Sequence, residues 1–226
     1  TNNGTLTLGI ATIDGASTAV TLAGDMSILG GAGALDISNA AASFAQTSGT
    51  TTINNAAATI TFTAAGSISF NNLTITDAAA TLTTGDIAAI GNVVDNDADG
   101  LILVSTAGSL TLNGTADQTL GGGTGTTTIG TMTVNKASGN VLLGSSISVS
   151  GVLAGDLTIT SGNLDLNGFN ITLTSASVAA LALLSETYPY QIMNSSSTDA
   201  YIQATASADP GDVSFAGFGC YLDNIV

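Results

Sequence analysis

Short pairs of aliphatic residues, each pair split by one small residue, recur along this chain about every seven to nine positions. Ile60/Phe62, Ile68/Phe70, Leu73/Ile75, Leu110/Leu112, Met132/Val134, Leu157/Ile159, Leu164/Leu166 and Ile171/Leu173 all have this form. An apolar residue at every second position is the period of a strand with one buried face. Each run lasts only about three to five residues before Gly, Asn, Asp or Ser interrupts it, so the strands are short and the corners many.

A longer similarity overlies the pairs. AVTLAGDMSI (19–28) aligns without a gap on NVLLGSSISV (140–149), and FNNLTITDAAATL (70–82) on IGTMTVNKASGNV (129–141). ALDISN (34–39) resembles NLDLNG (163–168). Val20, Leu82 and Val141 then mark a period of about 60 residues. Such strands can be wound as a solenoid, in which each strand pairs with the coil above, or as antiparallel hairpins turning at Asn113-Gly114 and Asn167-Gly168. The solenoid is favoured. Hairpin strands in sandwiches run about five or six residues, whereas three coils of about 20 residues would fill one period here. It places Leu22, Leu82, Leu143 and Leu166 in the lumen. In SGNLDLNGFNITLTS (161–175), Leu164, Leu166, Ile171 and Leu173 then face inward, Asp165 and Thr172 face outward, and Asn167-Gly168 turns a corner.

Composition agrees with a thin aliphatic interior. Hydrophobic residues make up 44% of the 226, aromatics only 4%, and Trp is absent. Thr fits outward strand positions, and a single Glu, Glu186, argues against much helix. Sixteen acidic residues stand against one basic residue, Lys136, with no His and a net charge of −15. Nucleic acid needs cations to neutralise its phosphates, and anionic membrane surfaces repel such a chain. No apolar run reaches the about 18 residues of a spanning helix, so no membrane insertion is expected. The scarcity of Lys and Arg leaves a trypsin-like protease one bond to cut, which suits an exposed extracellular life. No leader pattern is read at Thr1, as in a mature form whose targeting segment has been removed.

The pairs fade near Ser175. The expected organisation is a solenoid domain over 1–176 and a distinct C-terminal capping or docking segment over 177–226. SVAALALLSE (177–186) reads either as a short helix or as a capping segment. Beyond it lie Tyr188, Tyr190, Tyr201, Phe215, Phe218 and Tyr221, both prolines (Pro189 and Pro210), and the single cysteine, Cys220. A lone cysteine is either a small buried hydrophobe or half of an intermolecular bond. Solenoid ends are sheet edges, which recruit further strands unless blocked. Leu6 and Leu8 in the strand-like GTLTLGI (4–10), with Tyr188, Tyr190, Phe215, Phe218 and Tyr221, form the expected interface of a head-to-tail homopolymer.

Reactive chemistry is poorly provided for. Hydrolase nucleophiles lack a histidine base. Zinc lacks a His/Cys set, and phosphoryl transfer lacks its cationic clamp. LGGGTG (120–125) is not followed by Lys and a helix, so it reads as a structural corner. Glycoside hydrolysis by paired carboxylates would want a cleft with aromatic platforms, which this composition does not supply. No enzymatic activity and no required cofactor are expected. DNDADG (95–100) sets Asp95, Asp97 and Asp99 at alternate positions before Gly100, the first half of a calcium loop, though Thr106 stands where a closing Glu belongs. It reads as a calcium site or as a solvated acidic corner. The pairs Thr59/Thr61, Thr74/Thr76, Thr81/Thr83, Thr131/Thr133, Thr158/Thr160 and Thr172/Thr174 fit a hydroxyl face for carbohydrate or ice, or simply the outward tolerance of Thr. They recur at no fixed spacing, which favours the second reading.

NGTADQT (113–119), MTVNK (132–136) and SGNLDLNG (161–168) follow one another in the chain. This phrase resembles repeat segments of large secreted bacterial surface proteins of the adhesin type, closely over a quarter to a third of the chain and loosely over the rest. The resemblance implies a right-handed parallel β-helix outside the cell, and a location and architecture rather than a chemical activity. Lys136 belongs to the repeated phrase, while Asp77 stands in that position of the earlier copy, so the coil itself does not require a cation. The expectation is a secreted structural protein, a subunit of an extracellular fibre or surface adhesin. The alternative is a carbohydrate- or ice-binding surface module on the same scaffold.

Overall fold

The structure, a computed structural model, describes residues 5–9, 11–29, 35–37, 39, 41–54, 59–61, 67–76, 81–83, 86–96, 102–103, 109–150, 157–174, 184–186, 192–205, 213–214 and 221–222. Alternating short runs become strands that pair in parallel with the coil before and the coil after. One face stacks Ala19–Ala23, Ser43–Ser48, Ser67–Phe70, Asp86–Ala89, Ser109–Leu112, the beginnings of Thr131–Leu143 and Leu157–Asp165, and Leu184–Glu186. A second stacks Leu6–Leu8, Met26–Ile28, Thr50–Ile53, Asn72–Ile75, Val93–Asp95, Gln118–Leu120, the ends of the same two long strands, and Ile192–Met193. The third holds Ala11–Ile13 against Leu35–Ile37, then Thr59–Thr61, Thr81–Thr83, Ile102–Leu103, Thr127–Ile129, Ile147–Val149, Ile171–Thr174 and Ile202–Thr205. The chain visits second, third and first face in turn: it is an all-β parallel solenoid.

The lumen is aliphatic. Leu22, Leu143 and Leu166 are buried as expected, while the side chain of Leu82 lies outside the described residues. Ile68, Leu110, Met132 and Leu157 stack inside the first face, Leu73, Val93, Leu120 and Leu143 inside the second, and Ile129, Val149 and Leu173 inside the third. Each such side chain contributes roughly 1.5–3 kcal/mol by leaving water. Among the described residues the one aromatic contact is Phe44 on Phe70, with ring centroids 6.0 Å apart.

The repeat differs from the sequence expectation. Register partners are one coil apart, from 19 residues (Ile68 beside Ile87) to 31 (Ile171 beside Ile202). Phrases that align at about 60 residues fall on different faces. Phe70 lies on the first and Ile129 on the third, Leu22 on the first and Leu143 on the second. Every face needs the same in–out alternation, so an aliphatic pair that fits one fits all, and similarity in sequence does not report position in the coil.

Asn167-Gly168 is a corner, as expected. Both residues have positive φ, 49° and 85°, and the Phe169 N–H donates to the Leu166 carbonyl at 2.8 Å. The flanking strands pair with neighbouring coils and not with each other. Thr172 is half-buried on the outer side, but Asp165 is buried, under the loop that follows Met193. The solenoid also runs past residue 176. Leu184–Glu186 pairs with Leu157–Ile159 as a strand, not a helix, and Ile202–Thr205 completes that coil. A distinct element comes only after Thr205, where Val213–Ser214 pairs antiparallel with Tyr221–Leu222. The aliphatic signal fades earlier because the last coil spaces its short strands more widely. Among the described residues no helix is long and apolar enough to cross a membrane.

Candidate functional site

Polar chemistry concentrates where the chain turns from the first face to the second. The turn is tight. Gly49 and Gly139 have φ of 81° and 73°, and a Cβ on either would lie 2.5 Å from Gly24 C or 2.7 Å from Ala116 C. Asp25, Asn72, Asn92 and Asp117 stand at the second-face strands, Asn72 opening one and the other three just before theirs. Their side-chain oxygens accept backbone N–H bonds from the next coil: from Thr50 at 2.9 Å, Asn92 at 2.8 Å, Thr119 at 2.8 Å and Asn140 at 2.8 Å. Asn163 Nδ2 then donates to Asn140 Oδ1 at 3.1 Å. This ladder supplies partners that corner amides would otherwise lack.

Two glutamines line the inside of the same corner. Gln46 donates to the Gly24 carbonyl at 2.8 Å and accepts from Thr51 Oγ1 at 3.0 Å and the Asn71 N–H at 3.3 Å. Gln118 donates to the carbonyls of Ala89 at 2.9 Å and Gly91 at 2.5 Å, and its Oε1 accepts from the Gly114 N–H at 3.0 Å. The same Oε1 accepts from Lys136 Nζ at 2.6 Å, which also donates to the carbonyls of Ala116 at 2.7 Å and Gly114 at 3.3 Å. Lys136 is only 2% exposed. Burial pushes its ammonium below the ordinary lysine range, and the Asp117 carboxylate opposes that shift. All three donor positions of the chain's sole cation are thus spent on one corner.

A second buried group holds the last coil. Asp165 is 3% exposed, and its Oδ1 accepts from the backbone N–H groups of Asn167 and Ser195, both at 2.9 Å. Burial disfavours the charge, but hydrogen bonds from Ser195 and Asn167 outweigh it and hold the carboxyl below its usual range.

The residues singled out from sequence are scattered. Leu6 and Leu8 lie half-buried on the edge strand of the second face. Tyr221 is in the antiparallel pair after the solenoid. Tyr188, Tyr190, Phe215 and Phe218 lie outside the described residues, as do Asp97 and Asp99. Asp95 ends a second-face strand with its side chain buried, and accepts from Thr127 Oγ1 at 3.4 Å. Among the described residues no three His, Cys, Asp or Glu side chains gather as metal ligands. The Thr pairs divide among all three faces. Thr131/Thr133 and Thr158/Thr160 are on the first, Thr74 on the second, and Thr59/Thr61, Thr81/Thr83 and Thr172/Thr174 on the third. They do not make one array. Sequence reasoning missed the Lys136–Gln118 corner. Its trace was a lone cation in an otherwise uncharged phrase, and an Asn or Asp at or just before the start of successive second-face strands.

Compared with protein-family models, with curated proteins and with solved structures, the chain matches none.

Proposed function

We propose that the chain is a secreted structural protein, a non-catalytic solenoid subunit that stacks head-to-tail into an extracellular fibre or surface adhesin. The observation that carries this reading is the coil-on-coil ladder itself: the described coils present one repeated three-sided section, on which a further coil of the same kind fits. Leu6, Leu8, Ala11 and Ile13 pack on the core yet stay half-open, and Val20 is 37% exposed. Their partners one coil inward, Met26, Ile28 and Ile37, are 1%, 0% and 0% exposed. Among the described residues, Leu6–Leu8, Ala11–Ile13 and Ala19–Ala23 each pair on one side only. One more coil, from this chain or from a second copy, would bury these side chains and complete three parallel ladders. The last coil, Leu184–Glu186, Ile192–Met193 and Ile202–Thr205, offers the same three-sided section. A contact of this kind does not close on itself and so makes filaments.

Repulsion between subunits of charge −15 opposes stacking. Salt and divalent cations therefore promote it, and calcium at Asp95, Asp97 and Asp99 belongs to the same proposal. Light scattering and electron microscopy at physiological salt with calcium test it. Rods that lengthen with concentration, and that stop doing so in Leu8→Asp, are expected. A chain that stays monomeric at high concentration overturns the reading.

A further inference from the structure

The sequence holds five Asn-x-Ser/Thr triplets, at Asn3, Asn72, Asn113, Asn170 and Asn194. In a chain so rich in Asn, Ser and Thr the triplet alone says little, since chance supplies it. The structure separates the copies. Asn3 lies outside the described residues. Asn72 donates to the Gly49 carbonyl at 3.2 Å and accepts the Asn92 N–H at 2.8 Å, inside the inter-coil ladder. Asn170 is half-buried and accepts the Tyr201 N–H at 3.0 Å. Asn194 accepts the Gly168 N–H at 2.9 Å and donates to the Thr198 carbonyl at 2.9 Å. Asn113 differs from these. Its side chain is exposed, as is that of Thr115, and among the described residues neither side chain makes a hydrogen bond.

What lies between them is fixed. Gly114 is buried, its N–H donates to Gln118 Oε1 at 3.0 Å, and its carbonyl accepts from Lys136 Nζ at 3.3 Å. A Cβ at Gly114 would drive into the Ile90 carbonyl, so the middle residue must be glycine. The Lys136–Gln118 corner therefore holds the triplet's backbone while leaving the Asn113 amide and the Thr115 hydroxyl in water.

We propose that Asn113 is a glycan acceptor. Its Nδ2 forms a bond to the anomeric carbon of a sugar activated as a pyrophosphate ester. The anomeric C–O bond breaks, the pyrophosphate leaves with that electron pair, and Nδ2 gives up one proton. The site lies on the flank of the solenoid, between the first and second faces, and so leaves the stacking ends uncovered.

The folded chain is incubated with a nucleotide-activated hexose and an asparagine N-glycosyltransferase that accepts this triplet. It is then cleaved before Asp, so that Asn113 falls alone in peptide 99–116. Hexose should appear on that peptide at least about tenfold faster than on those carrying Asn72, Asn170 and Asn194, a difference of about 1.4 kcal/mol in barrier. The bias should vanish in the urea-unfolded chain, and Asn113→Gln should remove the fast site. Equal rates at the hydrogen-bonded triplets in the folded chain, or an inert Asn113 where the unfolded chain is modified, overturn the proposal. An unmodified 99–116 peptide in protein from its natural source also overturns it. None of these outcomes depends on assembly. A hexose-bearing chain that forms no rods, when the bare chain also forms none, tells against the fibre alone.

Discussion

The first coil and the coil that carries Lys136 are built from the same alternation of aliphatic and small polar residues, but they are closed differently. At Leu6–Leu8 and Ala11–Ile13 the inward side chains are half-open, and each strand pairs on one side only among the described residues. At Ser109–Leu112, Gln118–Leu120 and Thr131–Leu143 every strand is paired on both sides, the lumen is shut, and a buried ammonium and amide bind the corner. The alternation makes a coil. Neighbours make it stable, as expected where stability sums over adjacent repeats.

The largest break of this contrast is a charge placed in each region. Leu143→Asp buries an uncompensated carboxylate in a dry lumen and should cost more than about 4 kcal/mol, read as loss of the folded state in denaturant titration. Leu8→Asp should cost under about 1 kcal/mol, because water already reaches that site. Equal losses would show the two coils to be closed alike.

Next comes the corner itself. Lys136→Met leaves Gln118 Oε1 and the carbonyls of Gly114 and Ala116 short of a donor, and should cost about 3 kcal/mol in thermal unfolding. In the native protein trypsin should fail to cut after Lys136, and should cut once the chain unfolds, since the side chain is buried. Ready cleavage of the folded chain would show that this corner is no better closed than the first coil.

Calcium tests the stretch between the two regions. If Asp95, Asp97 and Asp99 hold the ion, calcium a hundredfold above its dissociation constant should raise stability by about 2.7 kcal/mol, and Asp97→Ala should abolish the gain. Identical melting with and without chelator removes the site.

The smallest expected effect lies at Asp165, which clasps the last coil. Its folded-state acidity is raised by hydrogen bonds from Ser195 and Asn167 against the pull of burial, so its contribution is present above the unfolded value of about 3.9 and is lost as pH falls through the lower folded value. Asp165→Asn should cost about 1–2 kcal/mol at neutral pH, with the difference from the parent chain closing in acid. A difference that persists at low pH would mean that the carboxylate's charge is not what holds the coil.

Much of the lumen was legible, because in–out alternation is a property of adjacent residues. Leu164, Leu166, Ile171 and Leu173 could be placed inward, and Asn167-Gly168 at a corner, from a few letters. Asp165 could not. By register it stands beside Leu142, on the outer side, and it is buried only because residues about one coil later fold over it. Lys136 reads as an incidental member of a repeated phrase until Gly114, Ala116 and Gln118, 18 to 22 residues earlier, are brought around its ammonium.

By itself, then, the sequence determined the strand type, the aliphatic lumen and the winding into a solenoid, since short-period alternation with polar corners leaves few other ways to bury one face. Tertiary structure alone decided the length of each coil, the extent of the solenoid to Thr205, and which polar residues are buried and what they hold. Those properties rest on residues 19 to 31 apart becoming neighbours, and coil lengths that vary this much leave no fixed spacing from which the pairing could be read.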